Sequence, residues 1–169
     1  MATFETAFNW TMDFEDPERK YEIVPDAGGQ ALSGINSAAF PTDFARIAAF
    51  APADRPAAVE SFYRLRFWSP WLEQLQSDEV AKRVFDHGFN NNEHNAVKFL
   101  QTAAETVSGV SLMVDGLWGP STLHGANGCD SAALTEAFKT VRKQFYRDLV
   151  LKNPDKAKYL NGWLARAGK

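Results

Sequence analysis

The sequence predicts a mainly α-helical protein with one small β-hairpin near its N-terminus. Hydrophobic residues fill 45% of the 169 positions against 23% charged, and five Trp, thirteen Phe and four Tyr supply enough apolar mass for a core. That composition excludes a disordered chain. Most of the large apolar residues recur at spacings of three and four, the period of a helix with one buried face. A single stretch, Lys20 to Gly29, alternates instead and runs into paired glycines.

Phe4, Phe8 and Met12 stand four apart with Ala7 and Thr11 beside them, so residues 4–14 form a first amphipathic helix. Asp16-Pro17 ends it, because the residue before proline is driven out of helical geometry. Lys20 to Val24 places Tyr21 and Ile23 on one side of a strand, and Asp26-Ala27-Gly28-Gly29 supplies the hairpin turn. Thr42 to Phe50 and Pro56 to Phe67 read as helices, the second with its proline early, where no amide donor is lost. Ser77 caps a helix through Val80, Val84 and Phe85, and Glu93 to Ala104 forms another with Ala96, Phe99, Leu100 and Ala103 on one face. Val114 to Gly128 is rich in turn residues. Leu134, Phe138, Val141, Phe145 and Leu149 then step by three or four with Lys and Arg between them, until Asn153-Pro154 closes that helix. A short segment ending in Trp163 and Leu164 follows. No repeat or low-complexity linker divides the chain, so a single domain over 1–169 is expected.

Several function classes fall away. Charged residues or Asn interrupt every apolar stretch well before the roughly 18 residues of a membrane-spanning helix. The first residues carry Glu5 rather than the basic start and long apolar run of a secretory leader, so synthesis in the cytoplasm without a signal peptide is expected. A lone Cys129 excludes an internal disulfide and reads as a small filler, and His87, His94 and His124 show no zinc-ligand spacing; they read as surface or core histidines. No metal or organic cofactor is expected. A formal charge of −3 argues against nucleic acid as a partner, although it conceals a gradient. From Glu136 onward nine Lys or Arg face three acids, leaving +6 there and −9 before it. That basic helix is either the solvated outer face of a core helix or a contact for an anionic membrane or cell-wall polymer. Within Asp115-Gly116-Leu117-Trp118-Gly119-Pro120 only Asp115 is acidic, which suits a structural turn better than a calcium loop.

Glu15 ends the first helix directly after Phe14. A carboxyl group among aromatic side chains holds its proton more firmly, as a general acid requires. Asp26 follows across the hairpin and could fold back to face it, and two carboxylates on one cleft are what glycoside hydrolysis needs. With twenty-one acids in the chain, spacing alone does not single out this pair.

Phe14-Glu15, Asp26-Ala27-Gly28-Gly29, Gly34-Ile35, Phe85-Asp86 with Asn90, Ala96 and Leu100-Gln101, Asp115-Gly116 with Gly119-Pro120 and Thr122, Phe145-Tyr146-Arg147, and Gly162-Trp163-Leu164 with Arg166 occur in this order along nearly the whole chain. The ordered set resembles glycoside hydrolase family 108, the lysozyme-like N-acetylmuramidases whose second half is a peptidoglycan-binding region. The resemblance implies a lysozyme-like helical fold with a catalytic part over residues 1–92 and an integrated peptidoglycan-binding part over 93–169. It implies cleavage of the β-1,4 bond between N-acetylmuramic acid and N-acetylglucosamine, with Glu15 as general acid and Asp26, or a water held by Asp26 and Ser33, meeting the oxocarbenium-like charge. Inversion is the expected outcome. The chain departs from the family where Asp16-Pro17 replaces two glycines and where Ala31 takes the place of a threonine, leaving Ser33 as the nearest hydroxyl; Glu18 is the rival acid.

A glycan strand also needs apolar surface and amides. Tyr63, Trp68 and Trp71 are candidates for the first, although both tryptophans could equally plug the core; Asn90 to Asn92 are candidates for the second, with Asp86 orienting Asn90 or capping a helix. The expected partner is peptidoglycan, met by a monomer in the periplasm or cell wall of a bacterium after release by a holin, a phage particle or a secretion machinery. Two other readings stay open: a catalytically impaired peptidoglycan-binding or secretion-accessory module, and a helical adaptor that docks a protein through Arg142 and Lys143.

Overall fold

A computed structural model describes residues 1–26 and 28–169; Ala27, part of the expected hairpin turn, lies outside the described residues. The chain divides into two compact units, Thr3–Ser69 and Met1–Ala2 with Pro70–Lys169. Among the described residues the protein is mainly α with one three-stranded antiparallel sheet near the N-terminus, consistent with a lysozyme-like fold. No described helix is long and apolar enough to cross a membrane.

In the unit Thr3–Ser69, α1 (Phe4–Glu15) starts at Thr3, whose hydroxyl accepts the Thr6 N–H, and buries Phe4, Ala7, Phe8, Thr11 and Met12. Strands β1 (Ile23–Asp26), β2 (Gly29–Leu32) and β3 (Ile35–Asn36) follow. β1 begins at Ile23 rather than Lys20 because Arg19 and Tyr21 adopt φ of 53° and 52°, incompatible with an extended strand. The register pairs Ile23 with Leu32 and Asp26 with Gly29, then Ala31 with Asn36 and Leu32 with Ile35. Because paired residues share a face, Leu32 and Ile35 enter the core together, and Asp26, Ala31 and Asn36 lie on the opposite face. The unit closes with α2 (Pro41–Ala48), a 3-10 turn at Pro52–Asp54 and α3 (Arg55–Phe67). Phe8 meets Tyr63 edge-on at 5.5 Å, and Tyr63 meets Phe62 at 5.5 Å, which joins α1 to α3 through rings.

The second unit contains α4 (Pro70–Glu73), α5 (Asp78–Asn90), α6 (Glu93–Ser108), α7 (Pro120–Asn127), α8 (Ser131–Lys152), a 3-10 turn at Pro154–Tyr159 and α9 (Leu160–Ala167). Ser77, Asn92 and Asp130 cap α5, α6 and α8 by accepting the N–H of Val80, Asn95 and Ala133. α7 occupies a stretch expected to be turns: Pro120 at its start fits a first helical position after Gly119. α5, α6 and α8 pack on one another, and α9 packs on α8.

The buried stripe of α8 is Leu134, Phe138, Arg142 and Tyr146, rotated by one residue from the expected Val141 and Phe145. A charge causes the rotation. Asp86 on α5 is fully buried; Arg142 Nη2 lies 2.7 Å from its Oδ2, an ion pair short of well-directed hydrogen-bond geometry, and Arg166 Nη2 donates to its Oδ1 at 2.5 Å. Burial acts to raise the Asp86 pKa, but the two guanidiniums outweigh it and hold the carboxyl below its usual range. Removing one member would leave an uncompensated buried charge, a loss on the order of 3–5 kcal/mol. The expectation that Arg142 serves as an exposed docking residue is therefore corrected: it is 1% exposed, and its charge is spent inside the unit.

His87 follows Asp86 and stacks on Phe99 at 4.5 Å. It is fully buried, and desolvation, reinforced by the Arg142 charge, pushes its pKa from 6.5 down to about 3. The unfolded chain thus binds a proton near pH 6.5 that the folded chain refuses until about pH 3. The contribution of His87 to stability is complete above pH 6.5 and is lost as pH falls from there toward 3. Stability of the wild type and His87→Leu, compared between pH 7 and 4 by urea denaturation, should diverge by up to about 1.4 kcal/mol per pH unit, the wild type falling faster. Parallel curves would contradict this.

Candidate functional site

Glu15 continues the buried stripe of α1, four residues beyond Thr11 and seven beyond Phe8, and this periodicity turns its carboxyl inward from the helix end. It is half-buried. Its carboxyl meets the turn between β2 and β3. Gly34 there has a φ of 81°, and a Cβ on it would lie 2.7 Å from Glu15 Oε2 and 2.7 Å from the Tyr63 hydroxyl. The missing side chain lets the carboxyl and the phenol converge on one point of backbone. Tyr63 is fully buried and donates its hydroxyl to the Ser33 carbonyl at 2.9 Å. Its expected role as a sugar platform is corrected: the ring is core, and only its hydroxyl reaches the Glu15 notch.

Asp16 organises the approach to that notch. Its carboxylate accepts the N–H of Lys20 at 2.9 Å, the N–H of Tyr21 at 2.8 Å and the hydroxyl of Ser33 at 2.8 Å, while its carbonyl accepts the Arg19 N–H at 2.9 Å. Burial acts to raise its pKa, but these donors prevail and hold it below the usual carboxylate range. Arg19, Tyr21 and Ser33 are the non-glycine residues with positive φ among the described residues, and all three bond to Asp16. Strain of this kind costs on the order of 1–3 kcal/mol per residue and persists only where surrounding bonds over-determine it.

Asp26 sits at the far end of the β1–β2 ladder, three residue steps from the Ile23–Leu32 pair and thus about 10 Å along the strand. Its carboxylate accepts the Asn36 side-chain N–H at 2.7 Å. Ser33 is 5% exposed and gives its hydroxyl to Asp16, so the expected pairing of Asp26 with Ser33 is replaced by Asp26 with Asn36. The exposed Glu18 ion-pairs with Lys20. Trp68 caps the C-terminus of α3, half-buried and edge-on to Phe4 at 5.8 Å; Trp71, in the other unit, lies parallel to Trp118 at 6.5 Å.

In the second unit Asn90 donates from Nδ2 to the Asp86 carbonyl at 2.9 Å and to Asp86 Oδ1 at 3.2 Å. Asp86 does orient Asn90, but being fully buried it is no contact for a ligand itself, which corrects any expectation that it touches the glycan beside Asn90. Gln101 holds the turn after α6, donating to Asp115 Oδ1, the Leu117 carbonyl and the Thr122 hydroxyl and accepting the Gly116 N–H. No cluster of metal-ligating side chains occurs among the described residues. Cys129 is half-buried, and burial pushes its thiol pKa up, away from nucleophile chemistry.

Residues 95–168 match a family described as a predicted peptidoglycan domain. No curated protein matches the chain. The match runs from α6 through α9, wholly within the second unit, and supports a peptidoglycan-related protein with peptidoglycan as its partner. Sequence reading missed Asp16, Gly34 and Asn36. The signal for Gly34 was available, since a Ser-Gly pair between the apolar Leu32 and Ile35 marks a tight turn, which glycine adopts freely.

Gly34→Ala tests the notch. Forcing an alanine into a φ of 81° against Glu15 should destabilise the protein by about 1–3 kcal/mol and displace the carboxyl. Urea denaturation measures the loss; a variant as stable as wild type would show that the contact is not close.

Proposed function

We propose that the protein is a peptidoglycan hydrolase of the lysozyme type, an N-acetylmuramidase in which Glu15 is the general acid. The observation that carries the reading is the placement of Glu15: a half-buried carboxyl at a helix end, against the Gly34 turn and beside the Tyr63 hydroxyl. In this reading Glu15 gives its proton to the bridging oxygen of a β-1,4 bond between N-acetylmuramic acid and N-acetylglucosamine. Asp26, steadied by the Asn36 amide, activates a water on the opposite face of the sugar. Inversion belongs to the same reading, since a water between the two carboxyl groups, rather than a covalent bond to Asp26, completes the reaction. Ala31 has no hydroxyl and that of Ser33 is engaged by Asp16, so in this reading the Asn36 amide beside Asp26 holds that water. The match over residues 95–168 supports a substrate held by the second unit. Action in the periplasm or wall after release by a holin, a phage particle or an export pathway belongs to the same proposal.

A second reading is a peptidoglycan-binding module without turnover. Two observations favour it: the family match leaves Thr3–Ser69 uncovered, and the hydroxyl of Ser33 is spent on Asp16. Purified sacculi separate the readings. Wild type should solubilise them, and Glu15→Gln should lose activity by at least about a hundredfold while still sedimenting with them. Lysis retained by Glu15→Gln would remove Glu15 from the chemistry; sedimentation of both proteins with lysis by neither would leave the binding module.

A further inference from the structure

The second unit carries a cavity of about 260 Å³ lined by Asn90, Asn91, Tyr146, Lys156, Tyr159 and Trp163, among others. We propose that this cavity is the site at which the protein grips peptidoglycan, taking one N-acetylated sugar together with the carboxylate of its lactyl or peptide substituent. The inference rests on the peptidoglycan reading but not on Glu15.

Chemistry of three kinds meets there. Trp163 stacks on Tyr146 at 5.1 Å and Tyr159 leans on Trp163 at 5.6 Å, so a row of rings runs from the buried Tyr146 to Tyr159, which is 48% exposed. Such a wall suits the apolar C–H side of a pyranose. The Asn90 side chain is fixed by its two bonds from Nδ2 to Asp86, which leaves Oδ1 as the acceptor for an acetamido N–H. Lys156 adds a cation with no carboxylate partner among the described residues, and Lys158 lies 5.0 Å from the Tyr159 ring centre. Peptidoglycan carries carboxylates on its peptide stems, or on the lactyl group where no stem is attached, whereas chitin-like glycans carry none, so this positive rim discriminates between them.

The walls are pre-set. Asp86 on α5 bonds to Arg142 on α8 and Arg166 on α9, the same three helices that bring Asn90, Tyr146 and Trp163 to the cavity. The buried ion network thus holds the lining residues in place before any ligand arrives, which lowers the ordering cost of binding. The volume lies just below the roughly 300–1,000 Å³ of sites that engulf a drug-sized ligand, room for one sugar of a strand rather than for several.

The test uses the full chain at 4 °C with purified sacculi, with soluble disaccharide–peptide fragments of peptidoglycan, and with chitotetraose as the uncharged probe. Tyr159→Ala should weaken binding of sacculi and of fragments about tenfold. Lys156→Glu, a charge reversal at the rim of the cavity, should weaken the charged fragments about tenfold while leaving chitotetraose within about twofold, the retained chitotetraose binding showing that the variant folds. Leu117→Ser, in the exposed turn after α6, should bind as wild type does. Wild type that sediments with sacculi, with Tyr159→Ala and Lys156→Glu both binding equally well, overturns the cavity and leaves the peptidoglycan reading intact. Wild type that stays in the supernatant overturns both.

Discussion

The Glu15 carboxyl lies at a helix end so close to a neighbouring turn that a side chain on that turn would collide with it, and Gly34 removes the collision. Its φ of 81° and bare Cα let the Glu15 carboxyl and the Tyr63 hydroxyl approach the same stretch of backbone. The rest of the unit Thr3–Ser69 serves this contact. The aromatic core fixes α1 against α3, the proline after Asp16 stops α1 with Glu15 as its last residue, and the Asp16 carboxylate ties the loop at Lys20 and Tyr21 to the Ser33 turn. Through these bonds Asp16 holds in place three residues with positive φ.

The second unit solves a different problem with buried charge. Asp86, Arg142 and Arg166 lie between helices where apolar packing would be simpler, and an ion cluster of that kind adds little net stability over a hydrophobic isostere. What it adds is a fixed arrangement of α5, α8 and α9. His87, kept neutral in the same interior, makes that arrangement sensitive to acid.

Local chemistry was legible in the sequence, and long-range pairing was not. Glu15 was marked by its place after Phe14 at the end of the first helix and by the family resemblance, and the cap Ser77 and the stop at Asp16-Pro17 follow from side chains acting on adjacent backbone. Arg142 was read as a solvated face because its partner Asp86 is remote in the chain, and a pattern of alternating charge and apolar residues cannot disclose a buried ion pair. Ser33 and Asp26 looked like neighbours, but Ser33 lies in the turn between β2 and β3, and the ladder sets Asn36 on the face that Asp26 occupies. Helix α7 was hidden by its own Gly119-Pro120 start, a dipeptide that serves turns and helix beginnings alike. Asp16 carried no signal beyond ending a helix, since its role lies in donors that arrive from residues up to seventeen positions away.

The proposed chemistry at Glu15 names the glycan bond that should be cut. Sacculi digested with the wild-type chain, reduced with borohydride and analysed by mass spectrometry should yield fragments whose reduced ends are N-acetylmuramic acid, because proton delivery from Glu15 to that bridge frees the anomeric carbon of the muramyl sugar. Reduced ends on N-acetylglucosamine, or intact glycan strands after prolonged incubation, would contradict a muramidase built on this carboxyl.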